Sequence, residues 1–314
     1  MLTAHNFTYG LLTPALGFVM SCLGAFLGLR CTARAMALEG RTRLRWLLLA
    51  ALSIGTTGIW VMHFIAMLGY TVPGAVIHYN VLLTIASMLI AVVVVGIGLL
   101  IVGFARQTWR NLILAGTFTG IGVAGMHYTG MQAMRLPARM SYSPQLFAVS
   151  VLIAVVAATA ALWAALRLRG TRATLGAAVI MGVAVSGMHY TGMAAMHMYP
   201  AASASGMLMA GGGATAATFL MPLVVGISVI AFILTATLAL SPDDEEIRAE
   251  QELMQRIGLA GAAVAVQEGV PGRIPALPDA PARAVSRTVQ ARRQAGAGRE
   301  LPRELAARPA GTAA

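Results

Sequence analysis

The stretch Gly125-Met126-His127-Tyr128-Thr129-Gly130-Met131-Gln132-Ala133-Met134 returns as Gly187-Met188-His189-Tyr190-Thr191-Gly192-Met193-Ala194-Ala195-Met196. A weaker copy, Trp60-Val61-Met62-His63-Phe64-Ile65-Ala66-Met67-Leu68-Gly69-Tyr70, precedes both. Successive histidines stand 64 and 62 residues apart. That is room for two membrane-crossing helices and their loops, since about 20 apolar residues cover roughly 30 Å of hydrocarbon. Each copy therefore closes the second helix of a two-helix repeat, and all three copies fall at the same ends of their helices. Parallel repeats imply a pseudo-rotation axis along the membrane normal. Around such an axis three histidines at one depth can converge.

The rest of the chain agrees with a membrane reading. Of 314 residues, 58% are hydrophobic and 11% charged, against about 25% charged in soluble domains. A soluble globular enzyme is excluded by that ratio. Seven apolar stretches reach spanning length, near 10–30, 46–69, 81–104, 111–134, 145–166, 174–197 and 218–240. The expected fold is an all-α membrane protein of seven transmembrane helices, three two-helix repeats plus a final helix, over residues 1–240. Arg30, Arg34, Arg41, Arg43 and Arg45 follow the first span, Arg106 and Arg110 the third, and Arg167, Arg169 and Arg172 the fifth. The opposite loops carry only Arg135 and Arg139. The positive-inside rule then puts the N-terminus outside and the C-terminus in the cytoplasm.

The net charge of +11 has the same origin. Residues 1–240 hold 12 arginines and one acid, Glu39, whereas residues 241–314 hold ten arginines and ten acids. The basic excess marks topology and meets anionic lipid; nucleic acid is not an expected partner. Ser241-Pro242-Asp243-Asp244 reads as a helix start, so an amphipathic juxtamembrane helix is expected over 241–258 and a disordered cytoplasmic tail over 259–314. No catalytic signature stands in that tail, so the chain reads as a non-enzyme that signals to a cytoplasmic partner through its C-terminal segment. Cys22 and Cys31 form no metal or disulfide framework.

On a helix, residues i and i+4 share a face. His63 and Met67, His127 and Met131, and His189 and Met193 are such pairs, each offering an imidazole with a thioether one turn on. A methionine stripe alone is gap-filling core; three histidines in register, each with the same methionine offset, are a site, because ionisable groups within a membrane are functional by default. Imidazole and thioether without carboxylate argue against magnesium, calcium and manganese and favour copper. Met62, Met126 and Met188 lie about 100° round the helix and face elsewhere. Tyr128 and Tyr190 read as hydrogen-bond partners of the site or as interface residues. His5, His78 and His197 are flanking imidazoles. Thr56, Gly120 and Gly182, each seven residues before a histidine, read as small contacts for helix packing.

Met-His-Tyr-Thr at 126–129 and 188–191, with Met-His-Phe-Ile at 62–65, resembles the MHYT family over about residues 5–240. The resemblance implies a sensor domain of a bacterial inner membrane. It further implies copper held by His63, His127 and His189 with Met67, Met131 and Met193, and a response to oxygen, carbon monoxide, nitric oxide or redox state. Phe64 and Ile65 depart from the motif and remove two hydroxyls from the first copy. Members of the family often continue into a cyclic-di-GMP enzyme or kinase domain, which this sequence does not show. Competing readings are a copper or small-solute transporter, a haem-binding redox protein and a structural scaffold.

Overall fold

The computed structural model describes residues 5–73, 75–136, 138–200, 214–240 and 252–257. Seven helical rods follow one another: α1 (Leu12–Met36), α2 (Gly40–Leu68), α3 (Val81–Phe104), α4 (Trp109–Gln132), α5 (Pro144–Arg167), α6 (Thr171–Ala195) and α7, which opens on Ala216–Leu220 and runs on as Met221–Leu240. Their ends follow local chemistry. The Asn80 side chain accepts the Leu83 N–H at 3.0 Å and starts α3; Thr108 accepts the Asn111 N–H at 3.3 Å and starts α4; Pro144 opens α5. Between α5 and α6 the turn needs the positive φ of Gly170, +82°.

Rods α1 to α6 close into a ring, each packed on the next and α6 back on α1. Rod α7 lies outside the ring against α1 and α2. Five rods, α1, α2, α3, α5 and α6, are long and apolar enough to cross a membrane. Rod α4 is as long, but its five glycines, His127, Asn111, Gln132 and Arg110 dilute its apolar content. The described apolar part of α7 spans Ala216–Ala231. Leu82, Ile113, Ile121, Leu152, Val156, Ile180 and Val183 are exposed on the outside of the ring, an apolar surface that only hydrocarbon matches. This is a membrane protein.

The histidine-bearing rods α2, α4 and α6 alternate with α1, α3 and α5 round the ring, and glycines set the close approaches. A Cβ on Gly120 of α4 would run into the Val155 backbone of α5, and one on Gly55 of α2 into the Val92 backbone of α3. In α6, Gly182 faces Cys22 and Phe18 of α1, so α1 does for the third copy what α3 and α5 do for the first two. In α2 the packing glycine is Gly55, not the expected Thr56: it stands eight residues before its histidine, where Gly120 stands seven before His127. The extra residue is taken up by a π-helix over Ser53–Val61, the wide turn that absorbs a one-residue insertion.

The all-α expectation needs one correction. Five short strands cover one end of the ring. β1 (His78–Tyr79) lies between β2 (Met134–Arg135) and β5 (Ala214–Thr215), and β3 (Ala138–Tyr142) pairs antiparallel with β4 (Met196–Pro200). β2, β3 and β4 grow from the residues just past α4 and α6, while β1 precedes α3 and β5 precedes α7.

Residues Met1–Ser241 form one compact unit and Pro242–Ala314 another. In the second, residues 252–257 are an exposed helical turn and a half; the rest of the expected juxtamembrane helix, 241–258, and of the tail, 259–314, lies outside the described residues. So does the glycine-rich break Gly211–Gly213.

Candidate metal centre

His63, His127 and His189 meet on the ring axis. Their ring centroids lie 4.9, 5.0 and 5.1 Å apart, every pair edge to face. Nδ1 of His63 lies 3.0 Å from Nδ1 of His189 and 3.1 Å from Nδ1 of His127. These nitrogens are closer than the ring centres, so the Nδ1 edges point inward. All three side chains are buried, at 0–1% exposure. The motifs close α2, α4 and α6, and the histidines lie five or six residues inside the helix ends. At 1.5 Å per residue that is about 8 Å below the β-stranded cap.

Glycines seat the rings. The His63 ring lies against Gly130 of α4 and the His127 ring against Gly192 of α6. Each of these glycines stands three residues after its own motif histidine, so α4 and α6 each carry one ring and the seat of another. In the first copy Ala66 takes the glycine's place. The Nε2 atoms of His63 and His127 are buried without a hydrogen-bond partner, packed on these glycine backbones.

Among the described residues no carboxylate approaches: Glu39, the single acid of residues 1–240, precedes the opposite end of α2. A neutral imidazole has one N–H and one lone pair. Nδ1 of His63, about 3 Å from both partner nitrogens, has one N–H or one lone pair to offer them and cannot satisfy both with linear geometry. The three histidines form instead a set of convergent nitrogen donors in a dry, uncharged site, and among the described residues they are the one group of three such side chains within ligand distance.

Met67, Met131 and Met193 are buried one helical turn on, toward the cap, each on the face of its histidine. Met62, Met126 and Met188 are buried as well. The hydroxyl of Tyr128 donates to Ser150 at 2.6 Å, and Ser150 in turn to the Phe147 carbonyl at 2.8 Å. Tyr190 has a buried hydroxyl without a partner and stacks at 5.5 Å on Phe7. The other histidines stay out of the cluster: His5 bridges Thr71, His78 lies in β1, and His197 pairs with Ser141 across β3 and β4.

The cap was missed in the sequence. Its inner side carries Tyr70, whose hydroxyl donates to the Met198 sulfur at 3.3 Å, and Tyr142 near Met140. Burial pushes the hydroxyls of Tyr70 and Tyr142 up to about 12, and that of Tyr79 higher than its ordinary value. The triad is thus shielded from the aqueous side. In β3, Ala138, Met140 and Tyr142 point inward between Arg139 and Ser141, an alternation of only five residues.

Comparison with known proteins adds the lineage. Residues 57–115 and 120–178 each match the MHYT family, described as a bacterial signalling protein N-terminal repeat. These two stretches are MHYT repeats. It is 40% identical over 193 residues to the bifunctional diguanylate cyclase/cyclic di-GMP phosphodiesterase MucR of Pseudomonas aeruginosa, covering 60% of this chain and 28% of that protein. It is 39% identical over 198 residues to the cyclic di-GMP phosphodiesterase NbdA of the same organism, covering 61% and 25%. An uncharacterized signaling protein of Caulobacter vibrioides is 32% identical over 255 residues, covering 79% and 30%. The chain thus matches about a quarter to a third of the length of these relatives. No solved structure matches it. The third motif copy, at 187–196, lies beyond both MHYT matches; its histidine enters the triad all the same.

Proposed function

We propose that this chain is the sensing part of a membrane signalling system, with copper at the histidine triad and a diatomic gas or the redox state as its signal. The observation that carries the reading is the convergence of three neutral imidazole nitrogens, one from each repeat, in a buried site without a carboxylate. That donor set fits a soft or borderline transition metal and not magnesium or calcium. His63, His127 and His189 would hold the ion, with Met67, Met131 and Met193 within a helical turn. Bound copper supplies a redox-active centre that can take a diatomic ligand.

The protein's own part is to hold the donors dry and to couple them to helices. Each ligand sits on a different rod, and the His63 and His127 rings rest on the backbones of α4 and α6. A small shift of one ring is therefore felt by two rods, and packed interfaces of this kind respond in discrete steps. In this reading all seven rods cross a bacterial inner membrane, the N-terminus and cap face outward, and the C-terminus is cytoplasmic. The relatives' names suggest that the signal reaches cyclic-di-GMP turnover, through the segment after residue 240 or a partner bound to it.

Metal analysis and an absorption spectrum on the full chain, purified in detergent without added metal, test this. Copper near one ion per chain is expected, lost on combining His127→Ala with His189→Ala. Stoichiometric zinc, a haem Soret band, or no metal after reconstitution with Cu(I) would each overturn it.

A further inference from the structure

The axis beneath the triad is not filled. On the side away from the cap, α1 to α6 surround an empty chamber of about 60 Å³. Its roof is one residue from each histidine rod. Ile59, Val123 and Val185 line it, and each stands four residues before its histidine, one turn below it. No charged side chain lines the chamber, and its hydroxyls are those of Ser21 and Thr119; the latter donates to the Val94 carbonyl at 3.3 Å. Water gains little there, since it needs two to four polar partners.

The chamber has a side. The lining residues from α1, α2, α3 and α4 are all buried. The half-buried ones are Ala157, Ala158 and Ala161 of α5 and Met181, Ala184 and Val185 of α6. The mouth therefore opens between α5 and α6, where Val156, Ile180 and Val183 present 60–68% of their surface outward. That surface is the lipid-facing one, so the chamber communicates with hydrocarbon.

We propose that this chamber binds small, uncharged, apolar molecules of gas size dissolved in the bilayer, and that it brings them to the underside of the triad. Apolar cavities that stay dry take up such solutes readily. A slit walled by alanines admits a compact molecule, and the β cap closes the aqueous route. The delivery step rests on the sensing function proposed above; chamber occupancy does not need a metal.

Xenon is the probe, added to the full chain in lipid nanodiscs and followed by xenon NMR. Saturable binding is expected in the wild type, lost in Ala158→Phe, whose ring fills the chamber. It should be kept in Ala160→Phe, which points outward on the same rod. Val123→Ala, which enlarges the roof, should bind xenon at least as well and guards against a folding artefact. No saturable binding in the wild type, full binding in Ala158→Phe, or a tightly held lipid chain released by that substitution would overturn the proposal. Loss of metal with xenon binding unchanged would count against the sensing function alone.

Discussion

A methyl group added at Gly130 would sit 2.5 Å from Nε2 of His63 and 3.1 Å from its Cδ2, where ordinary contact begins at 3.4 Å. The ring must retreat by about 1 Å, on the arithmetic of those two separations. It has no free direction, because its other edge lies 3.0 and 3.1 Å from the two partner nitrogens and Phe64 packs against it at 4.7 Å. Overpacking of this kind costs about 1–3 kcal/mol, while the change from glycine to alanine in a helix returns about 1 kcal/mol. Gly130→Ala should therefore destabilise by roughly 0–2 kcal/mol, a fall of a few degrees in Tm for a unit of this size. The larger effect is on the donors: groups that orient metal ligands are worth about 10–100-fold in affinity, and Gly130→Ala should weaken copper binding by that factor. Gly192→Ala, under the His127 ring, should do the same.

The comparators lie five residues away. Gly125 and Gly187 precede the motif methionines, face outward, and have nothing within 4 Å of an added Cβ. Gly125→Ala and Gly187→Ala should raise stability by about 0.5–1 kcal/mol and leave copper affinity unchanged. Thermal unfolding in detergent and Cu(I) competition on the four variants separate the two classes. Copper binding within twofold of wild type in Gly130→Ala and Gly192→Ala, or a loss of binding in Gly187→Ala equal to theirs, would show that the glycines do not seat the rings.

Three further outcomes follow from the same geometry. Deleting Thr56 should be tolerated, because the π-helix of α2 holds one residue more than α4 does between its packing glycine and its histidine; deleting Gly122 from regular α4 should turn His127 about 100° out of the triad, and copper content distinguishes them. Trp60→Phe and Ser87→Ala should each lower stability by about 0.5–1.5 kcal/mol and be non-additive in a double-mutant cycle on Tm, since the indole N–H donates to Ser87 at 3.0 Å. Tyr70 and Tyr142 ionise near 12 when folded and near 10 when unfolded, so their contribution is whole below pH 10 and is lost as the pH rises toward 12. Ultraviolet titration with parallel melts should show this, and Tyr70→Phe with Tyr142→Phe should flatten it.

The membrane class was legible because hydrophobic runs and arginine placement report the solvent directly, and the triad was legible because the same tetrapeptide recurs at a two-helix period. What stayed hidden needed three dimensions. The sequence paired Thr56 with Gly120 by counting back from the histidine, and that count fails where a π-turn adds a residue. It left the segments after α4 and α6 as plain loops, because strands of two to five residues give too short an alternation to stand out beside 24-residue helices. It also could not show that α1 serves the third copy as α3 and α5 serve the first two, since ring closure joins residues more than 150 positions apart, as at Cys22 and Gly182.

The departure of the first copy from the motif has a physical explanation in that ring. Ser87 in α3 and Ser150 in α5 are equivalent, since each donates to the carbonyl three residues earlier, Thr84 at 2.7 Å and Phe147 at 2.8 Å. In the second copy Ser150 receives the Tyr128 hydroxyl. In the first, Phe64 has no hydroxyl to give, and the indole N–H of Trp60 reaches Ser87 from one turn earlier. The serine is thus satisfied in both copies by different donors. Loss of the motif tyrosine frees the Phe64 ring to pack on Trp60 at 4.7 Å and on the edge of His63. The motif letters are therefore not the unit that the fold preserves; the unit is an aromatic wedge behind each histidine, joined in the first two copies by a donor on the serine of the next rod. The third copy tests that rule. Tyr190 keeps the wedge, against Phe7, while its buried hydroxyl finds no acceptor. Tyr190→Phe should then be neutral or stabilising, because it removes an unpaired polar group, whereas Tyr128→Phe leaves Ser150 without its donor and should cost about 1 kcal/mol. Equal losses in the two variants would show that the hydroxyl, and not the wedge, is what the repeat requires.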